Sequence, residues 1–220
     1  MDAGSNKMKA IVLEAVRPSA PEERNWTLPA PSWHGGWVTT ALTVMTLVIA
    51  LWPGASEALQ FDRTAIEAGE PWRNVTSHFT HWSNEHLAWD LLVFFGLGCL
   101  CEQLDRQRFL VVIAAASLLI PFGLWILAAN LPTYRGLSGL DTALFALLSA
   151  ATLSTAYRER NWLVALLVAG LLAGLVGKTA FELVSGGTIF VQATEFQPVP
   201  LAHLIGGGVG AFIGMLRWRF

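Results

Sequence analysis

The sequence predicts an all-α membrane protein, a bundle of six transmembrane helices, and three observations carry that prediction. The chain of 220 residues is 54% hydrophobic and only 14% charged, with a mean hydropathy of +0.49, so it has too few charges to clothe a water-facing surface. Six apolar stretches each approach the roughly 20 helical residues that a ~30 Å hydrocarbon core requires. Lys and Arg are spread unequally over the segments between those stretches, as the positive-inside rule asks of a polytopic protein.

In chain order the spans fall at 37–52, 86–104, 109–131, 138–157, 162–183 and 201–216. Helical periodicity adds little, because a helix in lipid is apolar all round. Residues 1–36 mix charges with Pro18, Pro21, Pro29 and Pro31, a composition that buries no core and reads as a disordered or surface-lying cytoplasmic tail. Its charges are followed by polar, Pro-rich sequence instead of an apolar run, which is not the pattern of a signal peptide. With the tail inside, only Arg63, Arg73, Arg135 and Lys178 fall outside or near that face. Both termini are then cytoplasmic, and residues 37–217 form one six-helix domain. The segment 53–84, with Trp72, Phe79 and Trp82 among its charges, lies on the outer side, partly embedded in the interface.

A net charge of −2 and a pI near 6.2 provide no basic field for nucleic acid. Cys99 and Cys101 stand two apart on a predicted helix, where side chains do not face each other, so neither a disulfide nor a metal clip is favoured and both read as small packing residues.

Ionisable side chains inside a span are costly and mark function by default. Glu102, Lys178 and Glu182 stand near span ends and are set aside. His86 and Asp90 in the second span, Asp141 in the fourth and His203 opening the sixth all lie, with Ser138, towards the outer half. Any one of them alone reads equally well as a helix-end residue wetted by headgroups. Together they suggest nucleophilic chemistry. Ser138 lies in Gly136-Leu137-Ser138-Gly139, where glycines permit a sharp entry into a helix and leave room for a substrate backbone. At a helix N-terminus, unpaired N–H groups and the positive dipole end suit a developing oxyanion. A serine hydroxyl needs a base, and His203 is the one histidine C-terminal to it. Gly206, Gly210 and Gly214 recur every four residues after it, a face that lets two helix backbones approach closely. The plain alternative is a glycine packing seam with an interfacial histidine.

These residues resemble the rhomboid family of intramembrane serine proteases, over roughly Glu70 to Met215. Trp72-Arg73 is similar to the Trp-Arg pair of the family's first outer loop, and His81, His86 and Asp90 resemble its His, His and Asn of the second helix. Gly136-Leu137-Ser138-Gly139 matches the nucleophile motif, and Ala202-His203 with Gly206 and Gly210 matches the family's Ala-His followed by glycines. The resemblance implies a cavity open to the outer side and a Ser138–His203 dyad without a third acid. It implies His86 as an oxyanion donor beside the Ser138 N–H, supported by Asp90, Gly136 and Leu137, with Gly139 a packing residue and Glu102 a tie within the bundle. The fifth helix and residues 184–200 would form a lateral gate and cap. No metal and no organic cofactor are implied.

Two positions depart from the family pattern. Asp90 stands where asparagine is usual, and a carboxylate accepts hydrogen bonds but cannot donate to an oxyanion. It either donates as a neutral acid or, the favoured reading, stays ionised and orients His86. Thr142 stands where well-studied members carry a tyrosine stacked on the histidine. Around these motifs, His81-Trp82-Ser83, Glu85-His86-Leu87, Phe190-Val191 and Pro198-Val199-Pro200 resemble the rhombosortase branch. That branch implies a multi-pass protein of the bacterial inner membrane whose partners are the bilayer and exported, C-terminally anchored proteins with a Gly-Gly sorting segment. The competing readings are a general rhomboid protease acting on helix-destabilised transmembrane substrates, a non-catalytic rhomboid-like protein that binds membrane helices, and a small transporter or scaffold.

Overall fold

The computed structural model describes residues 36–187 and 199–216. The expected tail before Gly36, most of the expected cap at 184–200 with Phe190, Val191 and Pro198, and the arginines at 217 and 219 lie outside the described residues. Among those described, six long helices coincide with the six predicted stretches: α1 Trp37–Leu51, α2 Asn84–Leu104, α3 Arg106–Leu127, α4 Ser138–Arg158, α5 Trp162–Ser185 and α6 Pro200–Met215. Four of them, α2 to α5, are long and apolar enough to cross a membrane, at 21 to 24 residues; α1 and α6 are shorter, at 15 and 16.

Local chemistry sets the helix ends. Ser83 Oγ accepts from the His86 N–H at 3.2 Å to open α2, Asp105 Oδ1 accepts from Arg108 N–H at 3.0 Å to open α3, and Asn161 Oδ1 caps α5 through Val164 N–H at 3.3 Å. The third helix stops at Leu127, four residues before the predicted end at 131. Hydropathy continues to Leu131, but Arg63, from the outer segment, donates to the carbonyls of Leu124, Trp125 and Ala128 at 3.1 to 3.4 Å. It also lies 4.3 Å over the Trp125 ring. That guanidinium adds a donor to the carbonyls of the last turn, two of which also accept the N–H groups of Ala128 and Leu131, and the helix ends there. α1 borrows its cap from another helix: Glu102 on α2 accepts from Val38 N–H (3.1 Å), Thr39 N–H (2.9 Å) and Thr39 Oγ1–H (2.8 Å). Both cysteines are free, and Cys101 packs buried against the Leu144 carbonyl of α4.

Lipid as the solvent is visible on α5, where Leu166 and Val184 are 72% and 88% exposed while Thr179 and Glu182 are 3% and 2% exposed. A helix in water shows the reverse.

α4 is the centre of the bundle. Leu140 and Leu144 are fully buried among Phe94 of α2, Ile120 of α3 and Ala202 of α6. α6 meets it backbone to backbone. A methyl at Gly206 would overlap the Gly139 carbonyl, one at Gly210 the Ala143 carbonyl, and one at Gly214 would sit 2.7 Å from the Leu147 carbonyl. Both helices thus present every fourth residue to the same seam.

On the outer side, short helices at Ala55–Leu59, Arg63–Glu67 and Arg73–Thr76 and a 3-10 turn at Ser77–Phe79 surround a two-stranded antiparallel ladder of β1, Phe61–Asp62, and β2, Thr133–Tyr134. Arg73 donates to Glu70 (2.6 Å) and to the Glu57 and Gln60 carbonyls (2.9 and 3.3 Å), tying this segment to itself. Trp72 beside it is half exposed. His78 is fully buried and its Nε2 donates to the Ser117 carbonyl of α3 at 3.2 Å. Pro121, four residues after Ser117, has no N–H to offer that carbonyl. The imidazole fills the bond that the proline removes.

Two outcomes are expected. Gly210→Ala should lower the unfolding temperature in detergent, an overpacking cost of ~1–3 kcal/mol, while Gly208→Ala, where a methyl meets nothing within 4 Å, should be neutral or slightly stabilising. Burial pushes His78 down from 6.5 to about 4, so the native state holds it neutral while the unfolded chain takes up a proton. Stability is then complete above pH 6.5 and falls by about 3 kcal/mol as pH drops towards the lowered value. His78→Gln, which keeps a donor for Ser117 but does not titrate, should remove that part of the acid-side loss in denaturant unfolding.

Candidate active site

Ser138 is the first residue of α4, delivered there by β2 and the turn that follows it. Gly136 has φ +128°, a conformation that side chains disfavour, and a Cβ there would lie 3.0 Å from His86 Cε1 and 3.4 Å from Asp90 Oδ2. Its N–H donates to the Ser77 carbonyl at 3.2 Å, and its carbonyl accepts from Tyr134 O–H at 3.1 Å. Leu137 is fully buried and donates its N–H to Asp90 Oδ2 at 3.0 Å. The nucleophile turn is therefore held by three hydrogen bonds at two consecutive residues before the helix begins.

Asp90 is the acceptor on which this end of the bundle converges. Besides Leu137, His81 Nε2 lies 3.1 Å and His86 Nε2 3.3 Å from the same oxygen, all three groups being buried. Both imidazoles donate through Nε2, since a carboxylate oxygen only accepts. Burial lowers the affinity of His81 for a second proton, partly opposed by Asp90. Arg135 buttresses the arrangement from outside: it donates to Gln60 Oε1 (2.8 Å), the His81 carbonyl (3.2 Å) and Glu57 Oε1 (3.1 Å) and covers the Trp82 ring at 4.3 Å. The carboxyl of Glu57 is drawn below its usual range by its own backbone N–H and by Arg135.

His203 sits in the first turn of α6, which Pro200 opens. Its Nε2 is 3.0 Å from Ser138 Oγ. A Cβ on Gly139 would meet the Ala202 carbonyl at 3.3 Å, so the close seam between α4 and α6 is what brings the two side chains together. Thr142 has no ring to stack on the histidine; its Oγ1 donates to the Ser138 carbonyl at 2.8 Å.

On its other side, His203 Nδ1 lies 3.4 Å from Glu182 Oε2, and Glu182 Oε1 accepts from Lys178 Nζ at 2.6 Å. A buried carboxylate on α5 therefore faces the histidine, at a place where the resemblance implied no acid. Sequence reading passed over Glu182 as a span-end residue, although an acid and a base four apart in an apolar helix carry the signal of a functional site. It also passed over Arg135, whose partners lie 54 to 78 residues away in the chain. The structure gathers Ser138, His203, His86, Asp90, His81, Gly136, Leu137 and Gly139 at one end of the bundle and does not bring Trp72, Arg73 or Glu102 to it. Among the described residues no cluster of metal-ligating side chains is present.

Ser138 at a helix N-terminus thus faces His203 inside a bundle of apolar helices, the arrangement expected of an intramembrane protease-type family. The chain belongs to the rhomboid family: the Rhomboid domain model matches residues 68–220, from the outer segment through α6. It is accordingly an integral membrane protein. No curated protein matches the sequence.

Asp90 provides the test of the site's scaffold. Asp90→Asn keeps an acceptor oxygen for Leu137 and should retain activity within about tenfold. Asp90→Ala leaves one backbone N–H and two imidazoles without their acceptor, at ~1–3 kcal/mol each, and should lose stability and most of kcat; kinetics and unfolding of the two variants check both statements.

Proposed function

We propose that the protein is an intramembrane serine endopeptidase with Ser138 as nucleophile and His203 as general base, working in a six-span bundle with both termini in the cytoplasm. The observation that carries this reading is the 3.0 Å approach of His203 Nε2 to Ser138 Oγ at the start of α4. As Oγ attacks the scissile carbonyl carbon, its proton passes to Nε2. The carbonyl π electrons move to oxygen, which the unpaired N–H groups of the first turn of α4 and its dipole stabilise. Collapse of the intermediate breaks the C–N bond, the departing amine takes the proton from Nε2, and water hydrolyses the acyl-serine by the same sequence.

Asp90 fixes the Leu137 amide and hence the placement of the Ser138 N–H. His86 lies with Nε2 3.3 Å from Asp90 Oδ2, so the carboxylate orients its imidazole beside the nucleophile turn. A groove of about 680 Å³ between α2, α4 and α5, lined by Val93, Leu97, Phe145, Gly174 and Phe181, offers an apolar approach for a transmembrane substrate. The rhombosortase-like residues favour exported bacterial proteins anchored by a C-terminal helix that follows a Gly-Gly segment, in the inner membrane. Glycines there unwind cheaply and let the bond enter in extended form.

Ser138→Ala and His203→Ala should each lower peptide-bond cleavage by about 10³-fold or more, with the double variant scarcely worse. Cleavage surviving in purified Ser138→Ala protein would contradict the assignment. Replacing the substrate's glycines by leucine should slow release of its soluble part; equal rates would move the specificity to transmembrane helices in general.

A further inference from the structure

We infer that Glu182 is a positioning residue for His203, making the pair a Glu182–His203–Ser138 relay in which α5 supplies the acid. The inference rests on the Ser138–His203 reading. It starts from the two faces of one imidazole: Nε2 is 3.0 Å from Ser138 Oγ and Nδ1 is 3.4 Å from Glu182 Oε2. To take the serine proton, Nε2 must be bare, so the single proton of neutral His203 must sit on Nδ1, which then requires an acceptor. Glu182 Oε2 is the carboxylate oxygen that faces it. The distance is at the outer edge of hydrogen-bond reach, as resting sites often are before charge develops.

The rest of α5 is arranged around this carboxylate. Glu182 is 2% exposed on a helix whose neighbouring Val184 is 88% exposed, so the chain turns an acid inward and an apolar residue out. Lys178, one turn earlier, donates to Oε1 at 2.6 Å, which balances the charge and leaves Oε2 directed at the histidine. When Ser138 loses its proton to Nε2, the imidazolium is flanked by the carboxylate; the Nδ1 proton stays on the ring throughout, and Glu182 stores no proton of its own.

The lysine makes the role testable. In Glu182→Gln, Lys178 Nζ can only donate, so it retains the amide oxygen and turns the NH₂ towards His203. That NH₂ donates to Nδ1 and drives the ring proton to Nε2, where it blocks the serine. The full-length protein, labelled with ¹⁵N-histidine and purified in detergent, should show His203 with Nδ1 protonated and Nε2 bare when neutral, the signals being assigned by their absence in His203→Gln. Glu182→Gln should show the opposite tautomer, with kcat reduced by roughly 10³-fold, KM little changed and an unfolding temperature close to wild type. A wild-type His203 carrying its proton on Nε2 overturns the inference whether or not any variant folds, as does Glu182→Gln with kcat within about threefold of wild type. Ser138→Ala separates the two layers. If it is inactive while Glu182→Gln is fully active, only the role of Glu182 is lost; if it retains activity, the reading beneath is lost as well.

Discussion

The contact between α4 and α6 at the bare backbone is the constraint on which the rest depends. Gly206 against the Gly139 carbonyl and Gly210 against the Ala143 carbonyl leave no room for a single methyl. Ser138 and His203 stand at the matching ends of those two helices, and their 3.0 Å approach follows from the seam's separation. In lipid there is no hydrophobic force to press two helices together, so close packing of small residues is the available means. Each turn of the seam that fits reinforces the placement of the pair.

Holding the serine's helix at the right height is a separate task, done by polar groups at the outer end of α2 and in the outer segment. α4, which begins at Ser138, has no side-chain cap of its own. Asp90 takes the amide just before it, β1 pairs with β2, Arg135 binds the outer segment, and His78 uses the carbonyl that Pro121 frees on α3. Buried polar groups of this kind stabilise only when each has its partner. This interdependence is why the turn tolerates so little change: Gly136 is confined by its φ, by His86 and by Asp90 at once.

Much of this was legible in the sequence because two of its signals are local. Apolar run length marked the positions of α1 to α6 within a few residues, four of them long enough to cross a membrane, and the glycines around Ser138 and after His203 report backbone geometry directly. What was not legible depends on distant partners. α3 ends early because Arg63 reaches it from 61 to 65 residues away. Along the chain Arg135 is one more outer-face charge, and its role lies in partners 54 to 78 residues away. Glu182 is the most instructive case: hydropathy places it near a span end, where a wetted acid is unremarkable, and only the rotation of α5 shows that it turns inward to His203. Asp90 was recognised as the informative departure, but its bond to the Leu137 amide could not be read from spacing along α2.

On the proposed mechanism, Ser138 is a nucleophile activated by the histidine that the seam delivers. Labelling the detergent-purified protein with a serine-directed fluorophosphonate and mapping the adduct by peptide mass spectrometry tests it most directly. Phosphonylation of Ser138 alone, lost in His203→Ala, is the predicted result; modification of another serine, or labelling of Ser138 at an undiminished rate without His203, would contradict it.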